Sequence, residues 1–183
     1  MLVFQDEVHF TINTLITRKW FIKGSNPKVK SYPGRLKTSY SGYVIPENGK
    51  FYFNRPATFT FETVIESLRD FIKNNPLDDG IKYYIVMDNA PWHQKAKRII
   101  KENQNGEYDD INSKVVFVYL PSYSPDLNPI EQVWRVLRRE VTHNNYFATI
   151  EKLSTAIETY LSKYLRPNEK LKKLCSFKTF ARA

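Results

Sequence analysis

The stretch YLPSYSPDLNPIEQVWRVLRRE, residues 119–140, decides how the rest of this 183-residue chain is interpreted. Its first half is dense in Pro, Ser, Asp and Asn, residue types that favour turns, and its second half has helical spacing. One acidic residue, Glu131, lies in the predicted first turn of the helix, beside the apolar stripe that would face a core. That stripe consists of Ile130, Val133, Trp134, Leu137 and Val141.

The position of Glu131 has three possible explanations. Asn128 is a suitable N-cap and Pro129 suits the first helical position, so Glu131 falls third, as in a capping box. Glu131 could instead pair with Arg135 four residues later, for a few tenths of a kcal/mol. Because it lies beside the apolar stripe, it could also border a pocket. The local sequence does not choose between these three roles.

Outward from this stretch, the spacing of apolar residues changes several times between the periods of strands and helices. The order of predicted elements is four strands, a helix, a strand, a helix, a strand and two helices. This order favours an α/β fold with one mixed β-sheet flanked by α-helices. The strands are predicted at 1–10, 18–24, 37–45, 50–56, 82–89 and 114–121, and the helices at 58–75, 91–103, 129–144 and 149–165. Thr60 is the predicted cap of the first helix.

Two aspartates occupy notable places in the predicted strands. In the first strand, alternation puts Asp6 on an otherwise apolar face, while Glu7 points to the other face. A carboxylate on an apolar face needs compensation, from a metal ion or from a Lys or Arg. Asp88 ends the apolar strand in YIVMDN, where ligand sites of open sheets gather, although it or Asn89 could simply cap the next helix.

Taken together, Asp6, Asp88 and Glu131 suggest a shared role. Carboxylates without a His or Cys cluster suit hard divalent cations such as Mg²⁺ or Mn²⁺. Two such ions can activate a water or hydroxyl and stabilise the leaving oxygen of a phosphodiester. The chain has 28 basic and 19 acidic side chains and a formal charge of +9, which suits a nucleic-acid partner. The combination indicates phosphoryl transfer on nucleic acid.

The composition argues against several other classes of protein. A single cysteine, Cys175, allows neither an internal disulfide nor a cysteine-rich zinc site and suggests an intracellular protein. The six glycines form no nucleotide-binding loop and no nucleophile elbow, so no nucleotide cofactor is expected. No apolar run is long enough to span a bilayer, and charges interrupt the apolar start, so neither a membrane segment nor a signal peptide is predicted.

Three segments, FQDEVHF, YIVMDNAPWH and LPSYSPDLNPIEQVWRVLRR, together resemble the DDE transposases of the mariner superfamily. The branch they resemble most is the bacterial and archaeal insertion-sequence six-thirty family, over roughly residues 2–145. The resemblance implies a ribonuclease H-like fold and a metal-binding catalytic triad of Asp6, Asp88 and Glu131. It implies two Mg²⁺ ions, with Mn²⁺ as a substitute, which support hydrolysis at transposon ends and attack of the freed 3′ hydroxyl on target DNA.

The same resemblance implies the setting in which the protein works. Its partner would be DNA, both transposon ends and target, bound by a homo-oligomer in the prokaryotic cytoplasm near the nucleoid. Some further residues match the family pattern or lie near the triad, as structural supports of the site or as DNA contacts. These candidates are Glu7, Asn89, His93, Arg135, Arg138 and Arg139.

Two departures from the family pattern leave alternatives open. Asp88 and Glu131 are separated by 42 residues, more than is usual, and the polar stretch at 101–114 is expected to hold the extra loop. The first catalytic strand begins at residue 2, so an N-terminal helix-turn-helix region is expected to be absent. We therefore expect one catalytic domain over 1–183, with a helical, basic C-terminal segment from about 148. The alternatives are a non-catalytic DNA-binding or assembly remnant, and a ribonuclease H-like nuclease with another role.

Overall fold

A computed structural model describes residues 1–31, 34–122 and 124–176 of the chain. The end of the predicted basic segment, at 177–183, and residue 123 of the third motif lie outside this part. The strands are β1 Leu2–Thr11, β2 Lys37–Ile45, β3 Lys50–Asn54, β4 Tyr83–Met87 and β5 Val115–Tyr119. The α-helices are α1 Phe61–Asn74, α2 Pro91–Glu102, α3 Asp109–Asn112, α4 Ile130–Leu137, α5 Ile150–Leu161 and α6 Glu169–Leu174.

The five strands form one mixed sheet in the order β3-β2-β1-β4-β5. The first three strands are antiparallel neighbours, whereas β4 and β5 run parallel to β1. The carboxyl ends of β1 and β4 therefore lie at the same edge of the sheet. The prediction of an α/β fold with a mixed sheet between helices is confirmed.

Two apolar clusters cover the two faces of the sheet. The alternation predicted for β1 is observed, because Phe4, Val8 and Phe10 join one cluster whereas Val3 joins the other. The first cluster lies under α4, α5 and α6, and the second lies under α1, α2 and α3. Asp6 is thus on the α4 side of the sheet, and Glu7 is on the α2 side.

Local capping signals explain where two helices begin. Thr60 and Thr63 form a reciprocal capping box at the start of α1, which confirms Thr60 as the cap. The side chain of Thr149 accepts a hydrogen bond from the backbone N–H of Lys152 at the start of α5. After α4, the chain continues as a π-helical turn, Arg138–Thr142, which ends the predicted helix two residues early. Along the described residues, every helix is too short or too polar to cross a membrane.

The strand predicted at 18–24 is wrong. This segment has no strand, and Trp20 and Ile22 are exposed. Apolar spacing alone does not make a strand, because its backbone also needs a neighbour with a free edge. Both edges of β1 are already occupied, by β2 and β4.

The polar stretch at 101–114 is more ordered than the predicted loop. It contains a 3₁₀ turn, Gln104–Gly106, and the short helix α3. Ile111 of α3 is fully buried in the second apolar cluster. The added residues are therefore packed on the sheet and leave Asp88 and Glu131 free to approach each other.

Candidate active site

The three predicted carboxylates line one cleft at the carboxyl edge of the parallel strands. Asp6 lies in the middle of β1, Asp88 directly follows β4, and Glu131 is in the first turn of α4. The cleft has a volume of about 310 Å³, and the loops that follow β4 and β5 form the remainder of its wall. Residues that are far apart in the sequence are thus brought together at one site.

Asp6 is a half-buried carboxylate at the base of α4. In the part of the chain that the structure describes, no Lys or Arg forms an ion pair with it. Its Oδ2 atom accepts a hydrogen bond of 3.1 Å from Nε1 of Trp134. Burial, followed by the negative charge of Glu131, raises the pKa of Asp6 from 3.8 to about 8. The alternative in which a Lys or Arg compensates Asp6 is therefore not observed.

The close approach of Trp134 to Asp6 depends on a glycine. Gly42 of β2 lies directly opposite Asp6 in the strand register. A Cβ atom at Gly42 would lie 2.6 Å from the Trp134 ring and 2.7 Å from the Phe51 ring. Trp134 is buried, as its place on the apolar stripe predicts, but its hydrogen bond to Asp6 was not predicted. No local sequence signal links a helix tryptophan to a strand aspartate 128 residues away.

Asp88 has a more exposed side chain that is held at one oxygen. Its Oδ1 atom accepts hydrogen bonds from the backbone N–H of Ala90, at 2.9 Å, and from Nδ1 of His93, at 2.7 Å. The hydrogen bond from His93 is the main reason why the pKa of Asp88 is lowered. Ala90, and not Asp88 or Asn89, occupies the N-cap position of α2.

Asn89 connects the ends of two neighbouring strands. Its Nδ2 group donates to the carbonyl oxygen of Leu120, just after β5, at 2.6 Å. Its Oδ1 atom accepts a hydrogen bond of 2.8 Å from Gln94. Since Leu120 and Asn89 both line the cleft, this amide fixes the shape of the cleft wall between β4 and β5.

The structure separates the three explanations for Glu131. Helix α4 begins at Ile130, one residue later than predicted, and Oδ1 of Asn128 accepts a hydrogen bond from the N–H of Ile130 at 3.4 Å. The reciprocal half of a capping box is not formed, because the N–H of Asn128 donates to the carbonyl of Pro125. Among the described side chains, Glu131 and Arg135 form no ion pair. Glu131 borders the cleft instead.

Glu7 and His93 meet on the opposite face of the sheet from Asp6. Their side chains are 6% and 0% exposed, and Nε2 of His93 lies 2.9 Å from Oε1 of Glu7. The other ring nitrogen, Nδ1, contacts Asp88. Burial alone would lower the pKa of His93, but hydrogen bonds to Asp88 and Glu7 outweigh it and raise the pKa to about 9.

The three arginines of the third motif differ in their surroundings. Arg135 is exposed, and Arg139 pairs with its neighbour Glu140 at 3.1 Å. The guanidinium of Arg138 lies 5.3 Å from the centre of the Phe10 ring, in a cation–π contact. Of the three, Arg135 has the side chain most available to a partner.

The donors at the cleft are those that a hard divalent cation prefers, namely carboxylate oxygens. Over residues 1–31, 34–122 and 124–176, no three His, Cys, Asp or Glu side chains are gathered closely enough to hold an ion. Mg²⁺ is usually bound by one or two carboxylates, with water and substrate phosphates as the remaining ligands. A cleft that contains an uncompensated Asp6 beside Asp88 and Glu131 therefore fits such an ion.

The fold and the cleft define a ribonuclease H-like domain with an acidic site at the carboxyl edge of its parallel strands. The profile of the family described as DDE superfamily endonuclease matches residues 1–154, and the chain therefore belongs to this family. The family resemblance drawn from the sequence motifs is confirmed.

Two curated proteins are similar to this chain over part of their length. An uncharacterized protein, y4pE/y4sA, of Sinorhizobium fredii is 29% identical over 79 residues, which are 43% of this chain and 50% of that protein. An uncharacterized 39 kDa protein of insertion element IS630 from Shigella sonnei is 22% identical over 162 residues, 86% of this chain and 43% of that protein. The chain thus spans half or less of the length of these relatives.

Solved structures of the Mos1 transposase share the fold. The Mos1 strand transfer complex aligns with a TM-score of 0.61 at 18% identity, over 99% of this chain and 52% of the Mos1 chain. The Mos1 mariner paired end complex with Mn aligns with a TM-score of 0.62 at 18% identity, over 95% of this chain and 53% of the other. These alignments establish the ribonuclease H-like fold of the domain.

Proposed function

We propose that this chain is the catalytic part of a DDE transposase of the IS630 and mariner kind. Its reaction would be the hydrolysis of DNA phosphodiesters at transposon ends, followed by transfer of the 3′ hydroxyl into target DNA. The observation that carries the proposal is the meeting of Asp6, Asp88 and Glu131, from three separate elements, at one cleft. Membership of the DDE superfamily endonucleases supports it.

Asp6, Asp88 and Glu131 would hold two Mg²⁺ ions, or Mn²⁺ as a substitute. When bound, such ions supply an activated water or hydroxyl and stabilise the leaving oxygen of the phosphodiester. The protein contributes ligands at fixed positions: Trp134 holds one oxygen of Asp6, and His93 holds one oxygen of Asp88. The mutual repulsion of the carboxylates, which helps to raise the pKa of Asp6, is relieved when a cation binds.

The DNA partner is supported by charge and by the relatives. The chain carries a net charge of +9, and exposed Arg135 lies one helical turn after Glu131 of the cleft. A basic side chain one helical turn from the site can contact phosphates next to the bond that is cleaved. The Mos1 structures with the same fold are DNA-transposition assemblies, namely a strand transfer complex and a paired end complex. An oligomer acting on paired ends is part of this proposal.

The first experiment is anomalous scattering from crystals soaked in Mn²⁺, with the wild type compared to Asp88→Asn. We expect a manganese peak between Asp6 and Asp88 in the wild type and its loss in the variant. Absence of the peak at saturating Mn²⁺ would overturn the catalytic proposal and favour a non-catalytic DNA-binding or assembly remnant.

The second experiment separates a transposase from a nuclease with another role. A duplex oligonucleotide with a free 3′ hydroxyl end is incubated with supercoiled plasmid, Mn²⁺ and protein. Covalent joining of the labelled oligonucleotide to the plasmid is expected for a transposase, and Glu131→Gln should abolish it. Plasmid nicking without joining would indicate a ribonuclease H-like nuclease that does not carry out transposition.

A further inference from the structure

Among the residues that the structure describes, the Asp88 carboxylate accepts hydrogen bonds through only one of its two oxygens. The backbone N–H of Ala90 and Nδ1 of His93 both donate to Oδ1. The side chain is 54% exposed and lines the cleft. A free aspartate side chain can exchange its two oxygens by rotation about its last bond. With two donors on Oδ1, that exchange is restricted, and Oδ2 is the oxygen left for the cleft.

His93 is itself held so that it cannot turn away from Asp88. Its side chain is completely buried, and each ring nitrogen contacts a carboxylate, with Nδ1 on Asp88 and Nε2 on Glu7. Tyr119, at the end of β5, donates its hydroxyl to the backbone carbonyl of His93 at 3.2 Å. Rotation of the ring would break two charge-assisted hydrogen bonds at once, so its orientation is determined by Glu7 as much as by Asp88.

Glu7 is a buried carboxylate that contacts three hydrogen-bond donors. Besides His93, the side-chain amide of Gln5 reaches its Oε1 atom at 2.9 Å, and Nε1 of Trp92 reaches its Oε2 atom at 3.3 Å. Across the described part of the chain, no Lys or Arg pairs with it. A buried charge needs hydrogen-bond donors for compensation, and these donors fix the orientation of the Glu7 carboxylate.

Neither Glu7 nor His93 borders the cleft that contains the three carboxylates. With side chains 6% and 0% exposed, they are also inaccessible to a phosphate group of DNA. Glu7 and His93 therefore do not contact the substrate directly, and any effect they have on the site acts through Asp88. The adjacent residues Asp6 and Glu7 point to opposite faces of β1, so one strand supplies a cleft carboxylate and the anchor for another.

We propose that Glu7 and His93 are positioning residues that orient Asp88, so that its Oδ2 atom is presented to a divalent cation in the cleft. This inference rests on the proposed metal-dependent function, because it assigns a role to residues that act through a metal ligand. Partners that orient a ligand in this way commonly change metal affinity by about 10-fold to 100-fold when they are removed. The prediction is therefore a loss of cation affinity without loss of the fold.

Two variants of His93 separate orientation of Asp88 from simple filling of a buried space. The amide nitrogen of an asparagine occupies nearly the place of Nδ1 of histidine, so His93→Asn keeps a donor for Asp88 and loses the contact with Glu7. The amide nitrogen of a glutamine occupies nearly the place of Nε2, so His93→Gln keeps the contact with Glu7 and loses that with Asp88. Each variant removes one buried hydrogen bond. If His93 had a purely structural role, the two variants would therefore change Mn²⁺ affinity by similar factors.

The test is a titration of the metal-free protein with Mn²⁺, followed by the electron paramagnetic resonance signal of the free ion. We expect His93→Gln, which loses the donor to Asp88, to weaken binding by about 10-fold or more. His93→Asn keeps that donor and loses only its anchor on Glu7, so we expect a smaller but measurable loss of about 3-fold. Circular dichroism and the unfolding midpoint without metal show whether each variant is folded. Equal affinities of the two folded variants, or a wild-type affinity in either of them, would overturn the inference.

A measurement on the wild type keeps the inference testable even when a variant does not fold. In a Mn²⁺-soaked crystal, Asp88 should bind the ion through Oδ2 while Oδ1 stays on His93. Binding through Oδ1, or through both oxygens with the His93 contact broken, would contradict the assignment. If the wild type binds no Mn²⁺, the proposed function itself fails. If the wild type binds and Asp88→Asn does not, but His93→Gln is unaffected, only the positioning role fails.

Discussion

Replacing Asp6 with asparagine should stabilise the metal-free protein, and the gain should grow as the pH rises. The pKa of Asp6 is raised from 3.8 to about 8, first by burial and then by the charges of Glu131, Glu7 and Asp88. In the unfolded chain the same carboxyl ionises near its ordinary value. Between these two pKa values the unfolded chain has released a proton that the folded protein still holds, so stability falls as the pH rises.

The magnitude follows from the difference in bound protons. Each pH unit within that window lowers the free energy of unfolding by at most about 1.4 kcal/mol. From about pH 5 to about pH 8 the upper limit is therefore about 4 kcal/mol. Because Asp6 borders an open cleft, water screens part of the effect, and we expect about 1–3 kcal/mol. Above the folded-state pKa of about 8, both states have lost the proton and the difference becomes constant.

The assay is urea unfolding followed by circular dichroism, in EDTA, at several pH values between about 5 and 8.5. Asparagine is a fair replacement, since its side-chain oxygen can still accept the hydrogen bond from Trp134. The control is Asp126→Asn, which removes the same charge from an exposed turn. A difference between Asp6→Asn and the wild type that stays constant or shrinks with rising pH would refute the reasoning. Added Mn²⁺ should stabilise the wild type at about pH 8 more than Asp6→Asn.

Two further predictions concern packing and DNA binding. Gly42→Ala should lower the free energy of unfolding by about 1–3 kcal/mol, because the new methyl group overlaps the Trp134 ring. The measurement is urea unfolding of Gly42→Ala in the wild type and in Trp134→Phe. The loss of unfolding free energy should be smaller in Trp134→Phe, and equal losses in the two proteins would contradict this explanation. Arg135→Ala should reduce the salt dependence of DNA binding by about 0.9 in the log–log slope. The assay is fluorescence anisotropy at several salt concentrations. The control is Arg69→Ala, which should leave the slope unchanged because Arg69 is paired with Asp110. An unchanged slope for Arg135→Ala would show that Arg135 does not contact DNA.

Much of the fold could be predicted from local patterns because local forces decide it. Alternation along β1 separates Asp6 from Glu7, and this separation holds in the structure because a strand has a period of two. The strand predicted at 37–45 is β2 at its full length, and Thr60 is the cap of α1 as predicted. The prediction failed at 18–24, because this apolar segment pairs with no strand of the sheet.

The candidate site was also predicted only in part from the sequence. The motifs identify Asp6, Asp88 and Glu131, and the order of strands and helices places the first two at the same edge of the sheet. The sequence leaves Glu131 with three explanations, and only its position in the folded protein favours a role at the cleft. The assignment of the triad as metal ligands stays a prediction that the Mn²⁺ experiments test.

The sequence by itself indicated the five strands of the sheet, with one false strand at 18–24, and most of the helices. It also indicated the faces of β1 and the three carboxylates, because these follow from periodicity and from residue chemistry. Only the tertiary structure decided how those carboxylates are supported. Trp134 reaches Asp6 across 128 residues, through space that Gly42 leaves open. His93 joins Asp88 to Glu7, which is 86 residues away from it in the chain. Such contacts depend on how helices pack on the two faces of the sheet, and that packing has no signature within a short stretch of sequence.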